Sequence, residues 1–161
     1  MATPPAPTVW LIRTGDGGKG LADCLPQKIV ALRFVKVGDA TDLDLEAITR
    51  QFGQDGTAGA PKRTARMLVR FRDDVRIGDI VVTPRLKERD VWFGAVVSGY
   101  HYRPPTDAGL RHARAVEWWG SIDRDTDLAQ NRTQDLNRRA ALYELPDQRW
   151  WLQRAEAVRG S

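Results

Sequence analysis

Histidine, cysteine and clustered carboxylates carry most protein chemistry, and this sequence is poor in the first two. His101 and His112 are its only histidines and Cys24 is its only cysteine. Structural zinc needs about four Cys or His ligands at close spacing. Cys-x-x-Cys, His-Glu-x-x-His and the calcium-loop spacing are all absent. No metal and no cofactor are therefore expected. A metal-dependent nuclease of the restriction type needs an acidic-x-Lys element beside a separate Asp. None of the lysines (Lys19, Lys28, Lys36, Lys62, Lys87) has Asp or Glu two residues before it. Gly-x-Ser-x-Gly is missing too, and Cys24 has no histidine nearby in sequence, so it reads as a packing residue. The Gly15–Gly20 run fails the P-loop pattern, because Lys19 is followed by Gly20 and not by Ser or Thr. Its backbone N–H groups could still hold a phosphate or a base edge. The expectation is a binding module with no catalytic residues of its own.

Two residue classes remain as candidates for binding. Of 25 basic residues only the five lysines just named are not arginine. Arginine forks phosphate and stacks on bases, whereas lysine acts as a point charge. A GC-rich coding sequence produces the same bias, so the arginines alone do not single out a polyanionic partner. The second class is aromatic: Trp10, Phe34, Trp92, Phe93, Tyr100, Tyr102, Trp118, Trp119, Trp150 and Trp151 fall at predicted strands or their ends. Most belong to the core. On the strand predicted from Val91 to Tyr102, Trp92, Val96, Tyr100 and Tyr102 share one parity, and Phe93, Ala95 and Val97 the other. Trp118 and Trp119 must face opposite sides.

The elements that position these residues are legible from periodicity. Thr8–Arg13 and Ile29–Val35 read as strands, with the glycine run after the first as a loop. A helix is expected from Thr41 and Asp42, with Leu45, Ile48 and Phe52 on its apolar stripe. A second begins at Pro61, a favourable first helical position, and runs to about Asp74. It places Ala65, Leu68 and Phe71 on one face and Arg63, Arg66, Arg70 and Arg72 on the other. Strands then predominate: Val75–Pro84 leads through a turn into one, Val91–Tyr102 forms a long one with bends at Gly94 and Gly99, and His112–Trp119 is ended by Gly120. The chain after Asp125 is Arg-rich and helical in character. This order suits an α+β fold, a small, strongly bent, barrel-like sheet with helices packed outside.

Length and composition agree with one domain. The 161 residues are 42% hydrophobic and 29% charged, with a net charge of +4, normal for a globular chain. Residues 1–7 read as a loose leader, 8–155 as the domain and 156–161 as a tail. The longest apolar runs are too short to span a bilayer, the opening lacks the features of a secretory signal, and a lone cysteine suits a reducing cytoplasm.

Several segments occur in a telling order: Val9–Gly15, Ile29–Phe34, Val75–Val82, Gly94–Tyr100 and His112–Trp118. Together they resemble the N-terminal domains of Mrr-like type IV restriction proteins and, more broadly, the EVE and YTH branch of the PUA-like fold. The resemblance spans roughly residues 8–120. It implies a bent barrel flanked by helices, with an aromatic pocket that takes one base flipped from its strand, commonly a methylated or hydroxymethylated one such as 5-methylcytosine. Flipping costs a few kcal/mol, which stacking and edge hydrogen bonds offset.

By the same resemblance, Thr14, Gly15 and Asp16 fall at the pocket edge. Phe34 stands where these families usually carry a tryptophan, and Tyr100 and Tyr102 lead into the second wall. Trp118 matches a core tryptophan. Arg13 matches a basic position of the first strand, and Arg33 replaces a small residue. Arg13, Arg33, Arg63, Arg66 and Arg70 are the phosphate candidates. The implied role is a reader of modified DNA bases that brings a nuclease, on another domain or partner, to foreign DNA in phage defence. The rivals are a nucleotide or small-molecule sensor on the same barrel and an RNA-binding or RNA-processing relative.

Overall fold

The computed structural model describes residues 5–14, 20–34, 37–53, 61–103 and 110–161. Its first half runs β1 (Val9–Ile12), α1 (Leu21–Gln27), β2 (Ile29–Leu32), α2 (Leu45–Gly53), α3 (Pro61–Asp73) and β3 (Ile80–Pro84). The second runs β4 (Asp90–Val96), β5 (His101–Tyr102), β6 (His112–Asp123), α4 (Arg124–Asp127), α5 (Gln130–Asp135), β7 (Leu142–Glu144) and α6 (Gln148–Arg159).

The strands form one mixed sheet in the order β2-β6-β4-β3-β1-β7, with β5 also paired to β6. It curls into a half-barrel flanked by helices, an α+β fold, as the order of predicted elements requires. β1 and β3 run parallel, joined by the long crossover that contains α1, β2, α2 and α3. All four positions of β1 are buried, which requires cover on both faces of the sheet. Trp10, Ile12, Val81, Val96 and Val116 meet Ile48, Phe52, Leu68 and Phe71 of α2 and α3. Val9, Leu11, Val82 and Phe93 meet Trp151, Ala155 and Val158 of α6. Val158 is buried, so the end of α6 belongs to the packed body and residues 156–159 are not a tail.

Local chemistry explains where elements begin and end. Asp44 caps α2 by accepting the Ala47 N–H at 2.8 Å, so the helix starts after the expected Thr41–Asp42, which sit in a turn held by Asp39. The long strand expected from Val91 to Tyr102 is interrupted at 97–100 and becomes β4 and β5. Gly120 does not end β6. It adopts φ +151 inside the strand, a conformation that favours glycine. There the register against β4 jumps, with Phe93 opposite Gly120 but Gly94 opposite Trp118, leaving Trp119 as the extra, bulged residue. A Cβ on Gly94 would lie 2.7 Å from both the Glu117 carbonyl oxygen and Val116 Cγ1, so this crossing requires glycine. Trp118 and Trp119 pack on opposite layers, as their adjacency demands.

Two buried polar side chains lock the frame. Asp79 accepts hydrogen bonds from the Thr8 N–H, the Trp10 Nε1–H and the Arg76 N–H at 3.0, 2.9 and 2.9 Å, tying the turn before β3 to β1. Arg114 of β6 donates to the carbonyls of Phe71 at 2.8 Å, Ser98 at 2.9 Å and Val75. It therefore sits at the C-terminal end of α3, where the helix dipole favours a cation.

Candidate functional site

β2, β5 and β6 meet at one end of the sheet. In register, His112 lies between Leu32 of β2 and Tyr102 of β5. Phe34 leaves the sheet two residues after Leu32, and Tyr100 precedes β5. Three of the predicted wall residues are thereby gathered around one imidazole. Tyr100 stacks on His112 at 5.9 Å between ring centroids and 21° between planes. Tyr102 meets it edge-on at 5.4 Å and Phe34 tilts against it at 6.4 Å. Phe52 from α2 packs against Phe34 in an edge contact at 5.3 Å between ring centroids.

The polar atoms of this cluster form a directed chain. His112 Nε2 lies 3.1 Å from the Val37 carbonyl oxygen and 3.3 Å from that of Phe34. Both are acceptors, so Nε2 carries the proton. Burial holds the imidazole below its ordinary pKa, in the neutral form. Nδ1 is then an acceptor and takes the Tyr100 hydroxyl proton at 2.7 Å. The Tyr100 oxygen in turn accepts the Ala40 N–H at 3.1 Å. Desolvation pushes the Tyr100 hydroxyl up to about 12, so it stays protonated. Every hydrogen-bonding atom of the His112 ring is spent inside the protein. The chain pins the segment around Phe34, Val37 and Ala40 to β6, and what the cluster offers a ligand is half-buried aromatic surface without charge.

The structure brings Phe34, Tyr100 and Tyr102 together, and the sequence reading missed what stands among them. Phe34, Tyr100 and Tyr102 surround His112, so the space expected for a sandwiched base holds the protein's own imidazole. Position 112 has the parity that turns inward on β6, which is the signal that could have placed it. Thr14 is fully buried, its carbonyl accepting the Gly20 N–H at 2.9 Å, and lies beside the Cys24 thiol, which burial raises to about 12. Gly15 and Asp16 lie outside the described residues.

The arginines divide by use. Arg13 points to the face opposite Phe34. It donates to the Arg138 and Ala140 carbonyls at 2.6 and 2.7 Å and also to that of Leu136. Those donors fasten the chain ahead of β7, which removes Arg13 from the phosphate candidates. Arg70 lies over the Trp10 ring at 5.1 Å and pairs with Asp74 at 3.5 Å, so it too serves packing. Arg33 is exposed where β2 ends. Arg63 and Arg66 are exposed on α3 and make no ion pair among the described residues. Their helix begins close to the aromatic cluster. Phe52 touches Phe34, and a Cβ on the next residue, Gly53, would lie 3.8 Å from Cγ of Pro61, the first residue of α3. No group of three or more His, Cys, Asp or Glu able to hold a metal occurs among the described residues. None of the described helices is long and apolar enough to cross a membrane.

Residues 10–146 match a family described as a domain of unknown function (DUF8426). No curated protein and no solved structure matches the chain. The match covers most of the chain, which belongs to that family.

Proposed function

We propose that this member of the DUF8426 family is a nucleic-acid-binding reader domain for a flipped, modified DNA base. The observation that carries the reading is the gathering of Phe34, Tyr100 and Tyr102 around neutral His112, next to the helix end that presents the exposed Arg63 and Arg66. Uncharged aromatic surface suits base stacking, and a methyl group on the base adds on the order of 1 kcal/mol of apolar burial. Because His112 fills the centre of the cluster, the base stacks on the half-exposed outer parts of Phe34 and Tyr102. Arg63 and Arg66 contact the backbone and contribute affinity without sequence preference. Cutting chemistry belongs to a separate domain or partner, since the chain has no acidic-x-Lys element.

Gel shifts with methylated and unmodified duplexes of one sequence, at two salt concentrations, test the reading. The methylated duplex is expected to bind more tightly. The double variant Arg63→Ala, Arg66→Ala should weaken binding to both duplexes alike and reduce the salt slope by about 2. Phe34→Ala, checked for folding by circular dichroism, should abolish the preference for the modified base. Equal affinity for both duplexes, or no binding to either, overturns the proposal.

A further inference from the structure

The opposite face of β6 carries an open groove of about 810 Å³, inside the roughly 300–1,000 Å³ range of small-ligand sites. Its origin is a mismatch of lengths. α1 has seven residues, and its Leu21 and Cys24 pack with Ile29, Ala31, Leu110 and Ala113. Past the end of α1 the described residues leave the sheet face open, with Ala115 too small to fill it. One wall is the end of α1, with Leu25 and Lys28, and the other is His101 and Arg103 at β5; Glu117 and Trp118 lie at the far end. The Arg103 guanidinium donates to Gln27 Oε1, which links the two walls. Val97 borders the groove and is 51% exposed, one of three large apolar side chains exposed among the described residues.

We infer that this groove is a second binding site, distinct from the aromatic cluster, and that it takes a nucleoside monophosphate unit. The charge pattern selects that ligand. Lys28 and Arg103 supply two cations for a phosphate, with the His101 imidazole beside them. Val97, Leu25 and Ala115 supply an apolar bed for a base. Glu117, held by the Trp119 Nε1–H at 3.2 Å, supplies an acceptor for an exocyclic amino group. An inorganic anion would leave the apolar bed unused, and an acidic peptide would meet the Glu117 carboxylate.

The inference does not rest on the reader proposal, and the test separates the two. Isotope-labelled protein is titrated with 5′-AMP, 5′-GMP, 5′-CMP and 5′-UMP, with the matching nucleosides, and with inorganic phosphate, following backbone amide shifts. Saturable shifts centred on Lys28, Val97, Ala115 and Glu117 are expected with at least one nucleotide, at an affinity about tenfold above its nucleoside and above phosphate. Lys28→Gln should weaken binding about fivefold to tenfold, and Val97→Asp, at an exposed position, should abolish it without altering the rest of the spectrum. Phe34→Ala should leave nucleotide binding unchanged, even where it abolishes modified-base preference. Phosphate binding as tightly as the nucleotides, unchanged affinity in both groove variants, shifts centred on Tyr100, Tyr102 and His112, or no saturable shift at all would each overturn the groove assignment. None of these bears on the duplex result.

Discussion

His112 and His101 stand on neighbouring strands at the same end of the sheet, and their surroundings differ in every respect. His112 has no exposed surface, both ring nitrogens are engaged, and burial keeps it neutral. His101 is half-buried beside a groove that also holds Lys28 and Arg103. The arginines repeat the contrast. Arg114 and Arg13 give their donors to backbone carbonyls, while Arg63 and Arg66 stand exposed. Residue type is the same on both sides of each comparison. The difference is whether the fold supplies acceptors: a side chain whose donors are all satisfied internally has none left for a ligand. Binding is therefore to be sought where polar groups of these kinds remain at the surface.

The largest effect is expected for Arg114→Leu. It strips the carbonyls of Phe71, Val75 and Ser98 of their donor at once, and should cost about 3–5 kcal/mol in denaturant unfolding. A cost under about 1 kcal/mol would mean that Arg114 is dispensable and the contrast between structural and surface arginines is wrong.

His112→Leu comes next, at about 2–3 kcal/mol. Its sharper signature is pH dependence. The buried ring binds a proton less readily than it does in the unfolded chain, so its contribution is complete above the ordinary value of 6.5 and declines as the pH falls below it. Tyr100, Tyr102, Asp39 and Arg111 face or act on the ring. Wild-type thermal stability should drop between pH 7 and pH 5, and His112→Leu should flatten that slope; an unaltered slope would assign the titration to another group.

Tyr100→Phe keeps the stacked ring and deletes one hydroxyl, leaving the Ala40 N–H and His112 Nδ1 without a partner. The expected cost is about 1–2 kcal/mol. A double-mutant cycle with His112→Leu should show coupling of at least about 0.5 kcal/mol, and additivity would dissolve the hydrogen-bond chain into separate contacts.

What could be read in advance was local. Leu45, Ile48 and Phe52, and Ala65, Leu68 and Phe71, announce α2 and α3 because an apolar stripe at helical spacing has one stable use. β1, β3 and β6 announce themselves by β-branched and aromatic runs. α1 escaped notice: it has seven residues, follows a glycine run and contains Pro26, so its helicity depends on Leu21 and Cys24 packing against Ile29 and Ala31. β7 has three residues and exists by pairing with β1. Gly120 looked like a stop signal because its φ is set by a bulge against a partner strand.

The sequence by itself determined the chemistry at hand: aromatics and arginines in plenty, two histidines, one cysteine, and no motif for metal or nucleophilic catalysis. It also determined the bent α+β sheet, since periodicity and turn residues act over a few neighbours. Only the tertiary structure decided which of those residues are spent. The contacts that consume Arg13, Arg114 and His112 reach 123, 39 and 75 residues along the chain, respectively. No local pattern records such a contact, because burial and hydrogen-bond partners are properties of where the chain returns.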